Sequence, residues 1–225
     1  MGKKILIIVA HSDDEAIGMG GTIAKHKIKG DEVFVVSMTD GVSARNNVKN
    51  KDVLNRLKAA KISSKILGFK WLNSHNFSDN SMDTYPLLDI IKAIEKDKVK
   101  LKPDLVYTHS GADLNIDHKI LSQVVLTVFR PQPYEKCKEI RLFEVASSTD
   151  YGVEAINGNF SPNLFIDISK TWRDKLSALK AYESEIRSSP HTRSFEGLES
   201  LAKRRGNQVG LGMAEAFQVI RKIED

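Results

Sequence analysis

The sequence predicts an α/β fold, a Rossmann-like and mostly parallel sheet with helices on both faces. Three observations carry this expectation. Ile5-Leu6-Ile7-Ile8-Val9 is an unbroken run of branched aliphatics, as in a strand buried on both faces. Further strand-like runs follow, and between them lie segments of helical spacing, the alternation of a doubly wound sheet with right-handed crossovers. Finally, the runs ending at Val9 and His109 each lead into a cluster of histidine and carboxylate. Open parallel sheets place their ligands at that carboxyl edge.

The elements follow in order. After the first strand and Gly18-Met19-Gly20-Gly21, residues 21 to 29 are short and helical in character, ending at Gly30-Asp31. Glu32 to Met38 is β-branched and nearly continuous, a second strand closed by Thr39-Asp40-Gly41. Residues 42 to 51 form a polar loop. Leu54, Leu57, Ala60, Ile62 and Leu67 have helical spacing, with Gly68 as the stop. Lys70-Trp71-Leu72 is a short third strand, and the polar stretch 73 to 84 is long enough to be a loop over a site. Leu87, Leu88, Ile91, Ile94 and Val99 mark a helix broken by Pro103-Asp104, and Leu105 to His109 is the fourth strand. An apolar helix is expected from Ile120 to Val128, and strands at 140–146 and 164–168. A long helix from Ser169, a good N-cap, reaches Ile186. Another helix spans 195 to 205, and 214–220 reads as a last strand.

Length and composition bound the function. The 225 residues are read as one domain, 1–225, long enough for a large core. The 41% hydrophobic and 28% charged content is that of a water-soluble globular chain. No apolar stretch approaches the roughly 20 residues that span a bilayer, and the first apolar run is too short for a signal-peptide core. The one cysteine, Cys137, excludes an internal disulfide, and the expected compartment is the cytoplasm. The net charge of +5 comes from dispersed basic residues without a nucleic-acid motif or interleaved aromatics. No nucleic-acid partner is expected, and a phosphorylated or nucleotide-linked substrate is compatible with the charge.

The chemistry concentrates in Ala10-His11-Ser12-Asp13-Asp14-Glu15. His11 and Asp14 are three apart, so one tight turn can aim both at a point, with Asp13 beside it. Imidazole plus carboxylate suits a divalent transition metal, zinc above all. A catalytic zinc takes three protein ligands, so a third must come from elsewhere. The competing reading is a plain helix start, with Ser12 or Asp13 as cap and Glu15 favoured by the helix dipole. The loop Asp113-Leu114-Asn115-Ile116-Asp117-His118 follows the fourth strand and supplies His118 as the natural third ligand. Asp117 or Asn115 could orient a ligand imidazole. His109 is a second candidate imidazole at the strand's end. Two such clusters at one sheet edge favour a site over coincidence.

These paired motifs resemble the PIG-L/LmbE-like zinc-dependent de-N-acetylases, and the resemblance extends over essentially the whole chain. Thr39-Asp40-Gly41, Arg56, Pro103-Asp104, the 143–149 stretch and Ala214-Glu215-Ala216-Phe217 share in it. The resemblance implies one zinc per chain, or another divalent ion, held by His11, Asp14 and His118. It implies Asp13 as general base, Asp117 as the acidic residue before the last ligand, and Arg56 as a substrate contact. It implies a small N-acetyl amino sugar such as an N-acetylglucosamine derivative as substrate, and related proteins are often homo-oligomers.

Three departures stand out. Ser12 replaces the family's usual proline, and Ala59 the glutamate of its Arg-x-x-Glu helix. Asn115 replaces the histidine that many members carry three residues before the last ligand. His109 and His191 are then candidate proton donors, or Asp13 shuttles the proton alone. Asn115 becomes a candidate oxyanion donor. Arg193 and Arg205 could contact a phosphate or sugar hydroxyls. His26 and His75 are read as surface positions, and Trp71, Trp172 and Tyr182 as core or interface. Two other functions compete: a metal-stabilised sugar-binding module without catalysis, suggested by Asn115, and a nucleotide-binding Rossmann protein with Gly18-x-Gly20-Gly21 over a phosphate.

Overall fold

Strand β1 (Lys4–Val9) lies in the interior of the sheet, and its alternating side chains found two cores. The computed structural model describes residues 2–224. Among these, seven strands pair in the order β3-β2-β1-β4-β5-β7-β6, with β2 at Glu32–Thr39, β3 at Lys70–Phe77 and β4 at Leu105–His109. Strand β5 is Glu139–Phe143, β6 Leu164–Asp167 and β7 Ala214–Lys222. Strands β3 through β5 are mutually parallel, and β7 runs antiparallel to both of its neighbours. The helices are α1 (Asp14–Ile28), α2 (Asn50–Leu67), α3 (Leu87–Leu101), α4 (Ile116–Val128), the single turn α5 (Glu154–Asn157), α6 (Trp172–Ala181) and α7 (Phe195–Asn207).

Ile5, Ile7 and Val9 pack in one core with residues of α1, α2, α6 and α7; Leu6, Ile8 and Ala10 pack in the other with α3 and α4. Burial on both faces is why the run is continuous rather than alternating. Each such side chain contributes roughly 1.5–3 kcal/mol relative to exposure. Trp71 and Trp172 pack against the first core and Tyr182 is buried in it, as expected. Gly68 ends α2 in the left-handed conformation, also as expected.

Helix α1 departs from expectation. It starts at Asp14, so the Gly18-Met19-Gly20-Gly21 segment lies inside a helix and forms no phosphate-binding turn. The glycines serve close packing instead: a Cβ on Gly18 would stand 2.5 Å from the Phe143 ring, and one on Gly21 2.7 Å from Ile168. The nucleotide-binding reading loses its motif. The helix breaks at Met19 (φ −148°, ψ 24°), and a buried ion pair satisfies the freed backbone. Glu215 accepts from the amides of Gly21 (3.0 Å) and Thr22 (2.7 Å). Lys175 Nζ donates to Glu215 Oε1 (2.6 Å) and to the carbonyl of Ile17 (2.8 Å).

Other boundaries shift for local reasons. Strand β3 runs on to Phe77, because an edge strand tolerates the polar 73–76 segment. Ser169 is not a helix cap; its amide and hydroxyl both turn back to Asp167 Oδ1, and α6 starts three residues later. No helix among the described residues is long and apolar enough to cross a membrane.

His75 is half-buried and bonded to Asp97 (2.8 Å), and His26 is no surface residue either. Its Nδ1 meets Asp31 Oδ2 (2.7 Å) and its Nε2 meets the Tyr107 hydroxyl (3.0 Å), which accepts from Arg141. Burial pushes the His26 pKa below its ordinary value of 6.5, against the pull of Asp31. Below about pH 6.5 the unfolded chain therefore takes a proton that the folded protein resists, and stability falls as pH falls. The expected result is a loss of stability on acidification that His26→Gln makes shallower, read from denaturant unfolding between pH 5 and 7. An unchanged slope would remove His26 from that account.

Candidate metal centre and active site

The first cluster is shaped by a tight turn. The amides of Asp13 and Asp14 both point at the carbonyl of His11 (3.0 and 3.3 Å), and the His11 amide donates to Asp14 Oδ2 (2.9 Å). Strand β4 pairs with β1 in parallel, so its following loop arrives at the same edge. There Asn115 caps α4, its Oδ1 accepting from the amides of Asp117 (2.9 Å) and His118 (3.4 Å).

Three donor atoms converge. His11 Nδ1 lies 3.2 Å from Asp14 Oδ2, His118 Nε2 lies 3.3 Å from the same oxygen, and the two ring nitrogens are 3.3 Å apart. Ligands about 2.0–2.1 Å from a tetrahedral metal are about 3.3 Å from each other. Carboxylates behind the rings orient both lone pairs inward. His118 Nδ1 donates to Asp113 Oδ2 (3.0 Å), leaving Nε2 as acceptor. His11 Nε2 faces Asp79 Oδ1 (3.0 Å) and Asp117 Oδ2 (3.2 Å), leaving Nδ1 as acceptor. Inward-facing lone pairs around a carboxylate are the donor set of a divalent cation, so these residues fit a metal. Without one, burial opposes the charge of His118, but Asp14 and Asp113 hold the ring up to about 9. Burial likewise pushes Asp14 upward, and the surrounding histidines overcome it and keep its carboxyl well below the usual range. Among the described residues a second group, His11, Asp79 and Asp117, could also gather a cation, but it uses the ring nitrogen whose proton those carboxylates accept.

Asp13 stands beside the triangle and is not part of it. Its Oδ1 pairs with Arg56 Nη2 (2.9 Å), and Arg193 Nη1 lies 3.6 Å from Oδ2. Burial pushes its pKa up, opposed by the two arginines. The hydroxyl of Ser12 accepts from Arg56 Nε (3.1 Å). Glu185, from the turn after α6, pairs with Arg56 (2.8 Å) from across the fold. Glu15 points away from the site, accepting from Tyr182 (2.8 Å) and Ser63 (3.1 Å) in the core. The three metal-facing residues with Asp13, Arg56, Glu185 and Arg193 border a pocket of about 360 Å³ at the carboxyl edge of the sheet. Two larger clefts, about 930 and 910 Å³, flank Lys3 at the opposite edge, away from the His/Asp cluster.

Several expected residues sit elsewhere or act otherwise. His109 is fully buried; its ring stacks on His118 (centroids 3.8 Å apart) and its Nε2 accepts from the Ala10 amide (2.9 Å). That corrects the expectation of a proton donor, since no face of the ring reaches the pocket. His191 is half-buried outside the pocket lining, its Nδ1 accepting from the Arg193 amide (3.0 Å). Asn115 borders the pocket; its oxygen caps α4 and one Nδ2 hydrogen goes to Asn80 (2.9 Å), which leaves its second amide hydrogen as the candidate oxyanion donor. Asp117 accepts from the amides of Asn80 (2.8 Å) and Met82 (3.0 Å) and so orients His11 while holding that loop. Arg205 forms a two-pronged pair with Glu144 (2.7 and 2.6 Å) away from the pocket. Asp79, Asp113, Glu185, Arg45 and Arg187 were not singled out from sequence; only Asp113 lay within a motif that could have flagged it.

Comparison with known proteins decides the family. A family model described as PIG-L, GlcNAc-PI de-N-acetylase, matches residues 6–129, more than half of the chain. The chain belongs to the PIG-L family. This PIG-L chain is 28% identical over 195 residues to the diacetylchitobiose deacetylase of Thermococcus kodakarensis, covering 82% of this chain and 70% of that one. It is 29% identical over 188 residues to YaiS, an uncharacterized deacetylase of Escherichia coli K12, covering 81% and 91%. The N,N'-diacetylchitobiose deacetylase of Pyrococcus horikoshii superposes with a TM-score of 0.79 at 25% identity, over 97% of this chain and 84% of that one. GalB of Pseudomonas putida KT2440, a 4-carboxy-2-hydroxymuconate hydratase, shares the fold at 21% identity and a TM-score of 0.75, covering 99% of each chain. A PIG-L-like sheet therefore does not by itself name the reaction; the site must.

Proposed function

We propose that this chain, acting as a single domain, is a zinc-dependent hydrolase that removes the N-acetyl group from an N-acetylated amino sugar or sugar conjugate. The observation that carries this is the inward-facing triangle of His11, Asp14 and His118 with the buried carboxylate of Asp13 beside it. Zinc, when bound, supplies Lewis acidity, making water acidic near neutral pH and polarising a carbonyl. Asp13 takes the proton of the attacking water and returns it to the departing amine, so amide plus water gives acetate and the free amine. With His109 buried, His191 outside the lining and Asn115 used as a cap, Asp13 carries both transfers. Arg56 keeps the Asp13 carboxylate oriented and borders the substrate pocket. Asp117 and Asp113 hold the two imidazoles in register. The lone buried Cys137 supports a cytoplasmic setting.

The test is elemental analysis of protein purified without chelator, with acetate release from N-acetyl sugars before and after chelation. About one zinc per chain and chelator-sensitive release are expected. His118→Ala should lose metal and acetate release together while the chain stays folded by circular dichroism. Metal-free wild type of unchanged fold, or release that survives chelation, would sink the reading.

A further inference from the structure

His109 lies out of reach of substrate, yet it touches the whole metal cluster. Its Nε2 accepts from the amide of Ala10 (2.9 Å) and stands 3.5 Å from Asp14 Oδ2. Its ring lies over that of His118, with centroids 3.8 Å apart and planes 13° from parallel. One imidazole thus meets two of the three candidate ligands, Asp14 and His118, and the peptide that leads into the third, His11.

The contacts point one way. A backbone N–H that donates to Nε2 puts the ring's own proton on Nδ1. Nδ1 is buried without a hydrogen-bond partner among the described residues. Every polar contact of the ring therefore lies toward the metal cluster. The ring is also held firmly. Phe143 packs against it (centroids 4.9 Å apart), and the backbone of His109 is the end of β4, paired with Phe143 in β5.

Ala10 joins β1 to the His11 turn. Its carbonyl accepts from the amide (3.0 Å) and the hydroxyl (2.9 Å) of Thr39. A buried backbone N–H demands an acceptor. Here the acceptor is a side chain, which ties the course of the chain into His11 to the ring on which His118 rests. Stacking fixes the plane of the His118 ring, and the Asp113 bond fixes which nitrogen faces inward. The 3.3 Å between His11 Nδ1 and His118 Nε2 is then set by one rigid group rather than by two independent rotamers.

We propose that His109 is a positioning residue for the metal centre: its Nε2 fixes the peptide that carries His11, and its ring face fixes His118. This rests on the metal-dependent reading above and deepens it. Two variants separate the two contacts. His109→Gln keeps an acceptor oxygen and loses the stack; His109→Phe keeps a ring and loses the acceptor.

Zinc affinity is read by competition with a chelator, and ligand geometry by the visible absorption of the cobalt-substituted protein, with folding followed by circular dichroism. Each variant should bind zinc at least about tenfold more weakly than wild type and show an altered cobalt spectrum. His109→Ala, which loses both contacts, should bind more weakly than either. In the wild type, imidazole nitrogen shifts should place the His109 proton on Nδ1 with and without zinc. A residue that only fills the core would change stability and leave affinity and spectrum alone. Either single variant with wild-type affinity and spectrum overturns the proposal, and so does a wild-type proton on Nε2. Weakened zinc binding in both variants of a chain whose wild type releases no acetate would uphold His109 and sink the deacetylase reading. A wild type that takes up no metal would overturn both.

Discussion

Asp13→Asn is expected to leave the metal bound and to cut acetate release by about two orders of magnitude or more. Asparagine keeps the volume and one oxygen for Arg56, so the turn and the pairing survive while the proton acceptor is lost. The triangle does not include Asp13, and so elemental analysis should still find about one zinc per chain. The loss should fall on kcat, because the carboxylate acts on the proton in flight rather than on ground-state binding. Because the same carboxyl returns the proton, added small amines and acids should restore little of the activity. Full turnover in Asp13→Asn would remove the base assignment and with it the two-way proton role. A variant that also lost its metal would show that Asp13 holds the turn rather than the proton.

Glu215→Ala is expected to cost about 3–5 kcal/mol of folding stability. The change strands Lys175, whose side chain is 5% exposed, and leaves the amides of Gly21 and Thr22 without their acceptor. Helix α1 is interrupted at Met19 just before those amides, so no backbone carbonyl replaces Glu215 there. Adding Lys175→Met should recover part of the loss, since it removes the unpaired buried charge but not the orphaned amides. Denaturant unfolding of the single and double variants reads both. A cost under about 1 kcal/mol for Glu215→Ala would mean that water replaces the carboxylate and that the pair does not hold the break.

Much of the frame was legible because burial on two faces writes itself as unbroken aliphatic runs. Strands β1, β2 and β4 were readable for that reason, and so were the metal-facing residues that follow β1 and β4 at the same edge. What escaped was of two kinds. Glycines inside α1 looked like a turn because a sequence does not show that Phe143 and Ile168 press on that helix from more than a hundred residues away. The second half of edge strand β3, from Asn73 to Phe77, looked like a loop because solvent on its open side allows Asn, Ser and His in a strand. The second class is charge pairing across the fold. Glu185 and Arg56 are 129 positions apart, and Asp79 meets His11 from a stretch with no periodicity. His109 misled in the opposite direction, since a histidine at a strand's end has the same sequence signature whether it faces the pocket or stacks beneath a ligand ring.

The interior position of β1 has a consequence for how the protein comes apart. His11 hangs from β1 and His118 from the helix after its neighbour β4, whereas Arg45, Arg187 and Arg193 hang from connecting segments near the surface. Amides in the middle of a sheet exchange with solvent only on global opening, and those of exposed loops exchange by small local openings. Leu6 and Ile8 should therefore be among the slowest amides to take up deuterium, and residues 43–49 among the fastest. Under gentle denaturation the protein should lose the outer wall of its pocket first and release its metal last, as the final cooperative unit melts.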